Sequence, residues 1–232
     1  NIMKKILFSG LIAFLALSPL RLMAETIPAT DTRVTFVGRT AVEGTSVSFD
    51  WTATYFRIAF SGKSLTMKAS DLKVGAADEA AAAKLHNYYN VWIDSPTSAE
   101  PHRIIEVKAG DNIIELVNPE YLKKSRRAVH EVIVQKRTEG EQGRTTIHEF
   151  TTDGKFMQAE PLRERQIEFI GDSYTCGYGI DAPTKDEKFT PETENASRSY
   201  AAIVSRYFGA DYIAVAHSGM GIARNYNSKF PK

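Results

Sequence analysis

From about Thr32 to Phe150 apolar and polar residues alternate in short runs. Val47-Ser48-Phe49-Asp50-Trp51 shows the alternation, as do Phe56-Arg57-Ile58-Ala59-Phe60 and Leu65-Thr66-Met67. It returns around Tyr89, Val91 and Ile93, and the runs Ile113 to Val117 and Val129 to Val134 also read as strands. A period of two places one set of side chains on each face of a strand, so each run can bury one face. Many short runs of this kind, separated by turn residues, predict an antiparallel β-sandwich over residues 30–155. Ala76 to Lys84 is Ala-rich and predicts a short helix or a loop insertion between strands.

The pattern changes near Pro161. Gln166-Ile167-Glu168-Phe169-Ile170 is a short strand-like run that ends in Gly171. Ser199 to Phe208 has helical spacing, with Tyr200, Ile203, Val204 and Tyr207 on one face and Gly209 as a C-terminal stop. Tyr212-Ile213-Ala214-Val215-Ala216 reads as a buried strand. Strand, helix, strand is the unit from which parallel sheets are built. Residues 163–232 are therefore expected to begin an α/β domain. They supply two strands where such a sheet needs several, so a C-terminal portion of that domain is expected to be missing.

The N-terminus has a different character. Lys4 and Lys5 precede an apolar run from Ile6 to Leu17, and Leu22-Met23-Ala24 puts a small residue at a cleavage point. This order predicts an export signal over residues 1–24 and a mature chain beginning near Glu25. The apolar run falls short of the about 20 residues that span a bilayer. No stable membrane insertion is expected after its removal, and the protein is placed in the periplasm or outside the cell. Of the 232 residues 43% are hydrophobic and 25% charged, which suits a globular protein rather than a disordered one. The formal charge of +1 owes its sign to the first 24 residues. Without Lys4, Lys5 and Arg21 the remainder holds 26 basic and 28 acidic residues, a balance that does not suggest nucleic acid as a partner. Cys176 is the single cysteine, so no intrachain disulfide forms.

Two turns carry candidate chemistry. Gly171-Asp172-Ser173-Tyr174 follows the first strand of the α/β portion, and sites in open α/β sheets lie at the carboxyl ends of strands. Ser173 there can point into a crevice, with its own N–H facing a developing oxyanion. Gly, Asp and Ser also build ordinary turns, so the tetrapeptide alone leaves both readings open. The elbow G-x-S-x-G does not fit, because Thr175 stands at the second Gly position. His217-Ser218-Gly219-Met220-Gly221 ends the second strand and offers Gly219 as an unobstructed N–H donor.

The block Ile167-Glu168-Phe169-Ile170-Gly171-Asp172-Ser173-Tyr174-Thr175-Cys176-Gly177-Tyr178-Gly179 resembles the first conserved block of GDSL/SGNH hydrolases. Its Thr-Cys-Gly-Tyr-Gly extension resembles carbohydrate esterase family 2, the acetyl xylan esterase type. Ser218-Gly219-Met220-Gly221 with Arg224-Asn225 resembles that family's second block. Weaker echoes lie in Phe36-Val37-Gly38-Arg39, Val91-Trp92-Ile93-Asp94 and Val134-Gln135-Lys136-Arg137-Thr138-Glu139. The resemblance implies a jelly-roll sandwich followed by a three-layer, flavodoxin-like SGNH domain. It implies Ser173 as nucleophile, and the N–H groups of Ser173 and Gly219 as oxyanion donors. It also implies a G-x-N-D block and a late histidine, often as D-x-x-H. Neither occurs here. Ala83, Ala99, Arg127, Thr145 and Ala214 stand three residues before the five histidines. Gly110-Asp111-Asn112 continues into Ile113 within the β half and reads as a hairpin-type turn.

The function these features imply is removal of O-acetyl groups from plant-type polysaccharides, acetyl xylan or glucomannan, through an acetyl-enzyme on Ser173. The partner is an acetylated polysaccharide or oligosaccharide, and neither metal nor organic cofactor is called for. The alternatives are a carbohydrate-binding protein without catalysis and an SGNH esterase acting on other esters. Other residues read as structural. Asp172 organises its turn, His217 forms a pocket wall or a structural contact, Cys176 packs in the interior, and Trp51 and Trp92 pack within or at the edge of the sandwich.

Overall fold

The structure, a computed structural model, describes residues 24–74 and 76–229. All of the expected export signal except Ala24 lies outside the described residues. The chain begins with β1 (Glu25–Pro28), β2 (Thr35–Val37), β3 (Ala41–Glu43), β4 (Ser46–Phe49), β5 (Tyr55–Ser61) and β6 (Leu65–Leu72). Helix α1 (Glu79–Ala82) precedes β7 (Asn87–Ile93), β8 (Arg103–Val107) and β9 (Gly110–Val117). Helix α2 (Pro119–Leu122) leads to β10 (His130–Lys136), β11 (Arg144–Thr152) and β12 (Lys155–Met157). After Pro161 come β13 (Gln166–Gly171), α3 (Ser173–Cys176), α4 (Tyr200–Tyr207) and β14 (Asp211–Ala216).

Strands β1 to β12 form two six-stranded antiparallel sheets. One runs β3-β4-β11-β6-β9 with β1 on β11, and the other β12-β5-β10-β7-β8 with β2 on β5. The predicted alternation is plain in β6, where Leu65, Met67, Ala69 and Asp71 are buried while Lys68 and Leu72 are exposed. Phe56, Ile58 and Phe60 of β5 meet Leu65, Met67 and Phe150 in the core between the sheets. Burial of large apolar side chains there, about 1.5–3 kcal/mol each, is the main force that closes the sandwich. The Ala-rich segment does contain a short helix, capped by Asp78, whose side chain accepts from Ala81 N–H at 2.8 Å. Trp92 is buried and donates to Ala99 O at 2.9 Å, whereas Trp51 is half-buried in a bend after β4.

Gly110-Asp111-Asn112 is not a hairpin turn. It opens β9, paired with Asp71, Ser70 and Ala69 of β6, just after the chain has left β8 for the other sheet. Gly110 takes a φ of 81°, and the Asn112 side chain accepts Lys108 N–H and donates to Lys108 O, which fixes the turn that precedes β9.

The outer face of the second sheet is also buried. In β5, Tyr55 and Arg57 lie under the segment that follows Pro161, and Tyr55 packs with Ala201, Tyr212 and Ala214. Strands β13 and β14 pair in parallel from Gln166↔Asp211 to Gly171↔Ala216. Helix α4 ends as expected at Gly209, with φ 59° and the bonds Gly209 N–H to Arg206 O and Ala210 N–H to Ser205 O. Its buried face differs from the expected one. Ala201, Ala202 and Ser205 are inside, while Tyr200, Ile203 and Tyr207 are 47%, 55% and 83% exposed. The small side chains let the helix backbone approach Tyr212 and Ala214 closely, which the larger ones would prevent. Among the described residues no helix is long and apolar enough to cross a membrane.

Candidate active site

Parallel pairing brings the carboxyl ends of β13 and β14 side by side, and His217 N–H closes the pair on Gly171 O at 3.2 Å. At the first end Asp172 caps α3. Its carboxylate accepts Tyr174 N–H at 3.1 Å, which is the turn-organising role expected of it. Ser173 is thereby the first helical residue, at the lip of the turn. Gly171 is tightly covered, since a Cβ there would lie 2.1 Å from Thr175 Oγ1 and would force that side chain to move. Gly177, with φ 76°, ends the short helix.

At the second end Gly219 takes a φ of 76°, a region natural to glycine, and its carbonyl accepts Tyr226 N–H at 2.7 Å. Asn225 Oδ1 accepts Gly221 N–H at 3.2 Å and folds the loop back on itself. Ser173, Gly219, Tyr178, Met220 and Arg224 line one open cleft of about 670 Å³. Neither the Ser173 nor the Gly219 N–H has an acceptor among the described residues. The cleft thus holds a serine hydroxyl together with two backbone N–H groups that have no acceptor among the described residues, the kinds of group acyl transfer uses.

The histidines stand elsewhere. His217 Nδ1 bonds the neighbouring Ser218 O at 2.8 Å, and its Nε2 pairs with Glu141 at 2.9 Å. It is held structurally and does not address Ser173. His86 pairs with Glu106, His130 with Asp94, and His148 bonds Ser46 and Ser70, all within the sandwich.

One participant has no assigned role in the sequence reading. Glu139, buried in the loop after β10, accepts Ser218 N–H at 2.7 Å and faces the Cys176 thiol at 3.8 Å. Glu194 lies against it and accepts Glu139 N–H at 3.0 Å. Burial and the nearby Glu139 carboxylate raise the Glu194 pKa to about 8, against the pull of Glu139 N–H and Lys136. Burial, with the same two carboxyl groups, pushes the Cys176 thiol far up, so it stays protonated. The ligand atoms of Glu139, Cys176 and Glu194 lie within 4.8 Å of one another, near enough to hold a cation. A protonated thiol and a carboxylate already engaged by Ser218 N–H make this group a proton-holding cluster in the first instance. The only sequence signal was the echo ending at Glu139, which names no role.

The family sequence model described as "Carbohydrate esterase 2 N-terminal" matches residues 36–161, more than half of the chain. The chain belongs to carbohydrate esterase family 2. An acetylxylan esterase / glucomannan deacetylase of Cellvibrio japonicus (strain Ueda107) is 33% identical to this family 2 chain, over 84% of the chain and 49% of the relative. The cellulase/esterase CelE of Acetivibrio thermocellus is 35% identical over 58% of the chain and 16% of its own length. This family 2 chain thus spans at most about half of each of these two relatives. Among solved structures, a family two carbohydrate esterase from Cellvibrio japonicus superposes with a TM-score of 0.74 at 25% identity, covering 89% of this chain and 56% of that one. A family two esterase from Clostridium thermocellum, in complex with cellohexaose, gives 0.71 at 28% identity, covering 84% and 55%.

Proposed function

We propose that this protein is an exported carbohydrate esterase that removes O-acetyl groups from plant-type polysaccharides such as acetyl xylan or glucomannan. In this reading residues 1–24 are an export signal and residues 30–155 form a jelly-roll domain. Residues 163–232 are the N-terminal portion of an SGNH-type α/β domain. The observation that carries the proposal is the convergence of Ser173 and Gly219 on one cleft at the carboxyl ends of two parallel strands. The acetylxylan esterase relatives support the ester class, and the relative bound to cellohexaose supports a β-linked glycan as the ligand class.

Ser173 Oγ attacks the acetyl carbonyl carbon, the acyl C–O bond breaks, the sugar leaves as an alcohol on receiving the proton taken from Ser173, and water then cleaves the acetyl-enzyme to release acetate. The Ser173 and Gly219 N–H groups hold the oxygen on which charge develops. The proton of Ser173 passes to the late histidine that the family pattern implies, since all five histidines here are engaged elsewhere or stand in the sandwich.

Ser173→Ala, made in a protein that also carries the implied late histidine, tests the reading. It keeps both backbone donors and the Asp172 cap while removing the attacking oxygen. Acetate release from acetylated xylan or glucomannan is expected to fall to background with an unchanged melting temperature. A folded Ser173→Ala protein that keeps most of its activity removes Ser173 as nucleophile.

A further inference from the structure

We propose that Glu139 is a positioning residue, through which the β-sandwich holds the loop bearing the Gly219 oxyanion donor. The inference rests on the esterase reading above and adds a residue from the other half of the molecule to its site. One carboxylate oxygen of Glu139 takes Ser218 N–H at 2.7 Å and faces the Cys176 thiol at 3.8 Å. Ser218 immediately precedes Gly219. Cys176 closes the turn that Ser173 opens, its N–H bonded to Asp172 O at 3.1 Å. A single oxygen from the loop after β10 therefore bridges both strand-end turns. Two residues later Glu141 holds His217 at 2.9 Å, so the sandwich grips the oxyanion loop at consecutive residues.

The grip is rigid because Glu139 is buried, 2% exposed, and its own N–H is held by Glu194. Fixing the His217–Ser218 peptide plane limits the directions the Gly219 N–H can take. Oxyanion donors act by being oriented before charge develops, so this orientation bears on kcat rather than on substrate binding.

The cluster also has a pH limit. Glu194 Oε1 has no hydrogen-bond partner among the described residues, and Glu194 is fully buried. The groups around it are Glu139, Glu141, Lys136 and Arg137 from the sandwich side, with His217 already paired to Glu141. Cys176, Asp172 and Tyr178 face the cluster from the Ser173 turn and the chain that follows it, and Asp181 pairs with Arg137. With Glu194 protonated, Glu139 is the single anion facing Ser218. As pH rises through about 8, Glu194 ionises and two carboxylates repel in a buried space.

The test compares Glu139→Ala, Glu139→Gln and Glu194→Gln with the parent in a protein that also carries the implied late histidine. The readouts are kcat and KM for 4-nitrophenyl acetate from pH 5 to 9.5 and exchange of the Ser218 amide. Glu139→Ala should lower kcat at least tenfold, hold KM within twofold and speed Ser218 exchange at least tenfold. Glu139→Gln keeps an acceptor for Ser218 N–H and should recover most of the kcat and the slow exchange. The parent kcat is expected to fall above pH 8, and Glu194→Gln should flatten that fall. A folded Glu139→Ala protein with parental kcat overturns the proposal, and so does parental Ser218 exchange in that variant. A Glu139→Gln protein as slow as Glu139→Ala at a parental melting temperature also overturns it. If the parent releases no acetate from any ester, the esterase reading fails, and Ser218 exchange alone then decides the positioning claim.

Discussion

Replacing Arg57 by leucine is expected to destabilise the protein by about 3 kcal/mol, because it strands a carboxylate in the interior. Asp211 opens β14 and is fully buried, and Arg57 beneath it is 1% exposed. The Asp211 carboxylate accepts from Tyr55 Oη at 2.7 Å, Arg163 N–H at 2.8 Å and Arg57 Nη1 at 3.4 Å, and pairs with Arg57 Nη2. Removing one partner of a buried pair costs about 3–5 kcal/mol. The lower end applies here. Tyr55 and the Arg163 amide remain, and Arg163 Nε stands 3.7 Å away at the half-exposed edge. Losing the Arg57 contact to Glu160, 3.6 Å long and 42% exposed on the Glu side, adds little. Tyr55→Phe removes the hydroxyl's 2.7 Å bond to Asp211 and its longer 3.4 Å bond from Arg57 Nη2, and is expected to cost about 1 kcal/mol. Arg57→Leu combined with Asp211→Leu removes both charges and should recover about 2 kcal/mol relative to the sum of the single changes.

The pH dependence has a definite sign. Burial by itself would raise the Asp211 pKa. The Arg57 hydrogen bonds, the Arg163 amide and the Tyr55 hydroxyl outweigh burial and hold it below its ordinary 3.8. The resulting stability is present above that ordinary value and lost as pH falls through the depressed one. Urea unfolding followed by far-UV circular dichroism at pH 7 and at pH 3 measures each quantity. A cost below about 1 kcal/mol for Arg57→Leu, or strict additivity in the double variant, would refute the reasoning.

Gly171→Ala should cost about 1–3 kcal/mol and lower activity, since the new Cβ would sit 2.1 Å from Thr175 Oγ1, whose hydroxyl is bonded to Tyr200 Oη at 2.9 Å. Adding Thr175→Ala should restore part of the loss in thermal unfolding; no recovery would place the strain elsewhere. Cys176, fully buried and with its thiol pushed up, should react with a disulfide reagent about 100-fold more slowly in the native chain than in urea. Equal rates would show that the site opens freely.

Local pattern carried the elements. Alternation in Leu65-Thr66-Met67 and the glycine stop at Gly209 depend on neighbours within a few residues, and both appear in the structure where the pattern puts them. The strand-end position of Ser173 and Gly219 was legible for the same reason, since each motif directly follows its own strand. Only the tertiary structure decided which sheet each strand joins. It also decided that β8 and β9 part company at Gly110, and that α4 buries Ala201 and Ala202 instead of Ile203 and Tyr207. Arg57 alternates with apolar neighbours as a solvent-facing residue would, yet it is buried because Asp211, 154 positions later, returns to cover it. Glu139 reaches Ser218 across 79 positions. A side chain's local period specifies which face of its strand it occupies. What covers that face is set by packing between segments far apart in the chain, where desolvation and charge pairing act on groups that no local pattern links.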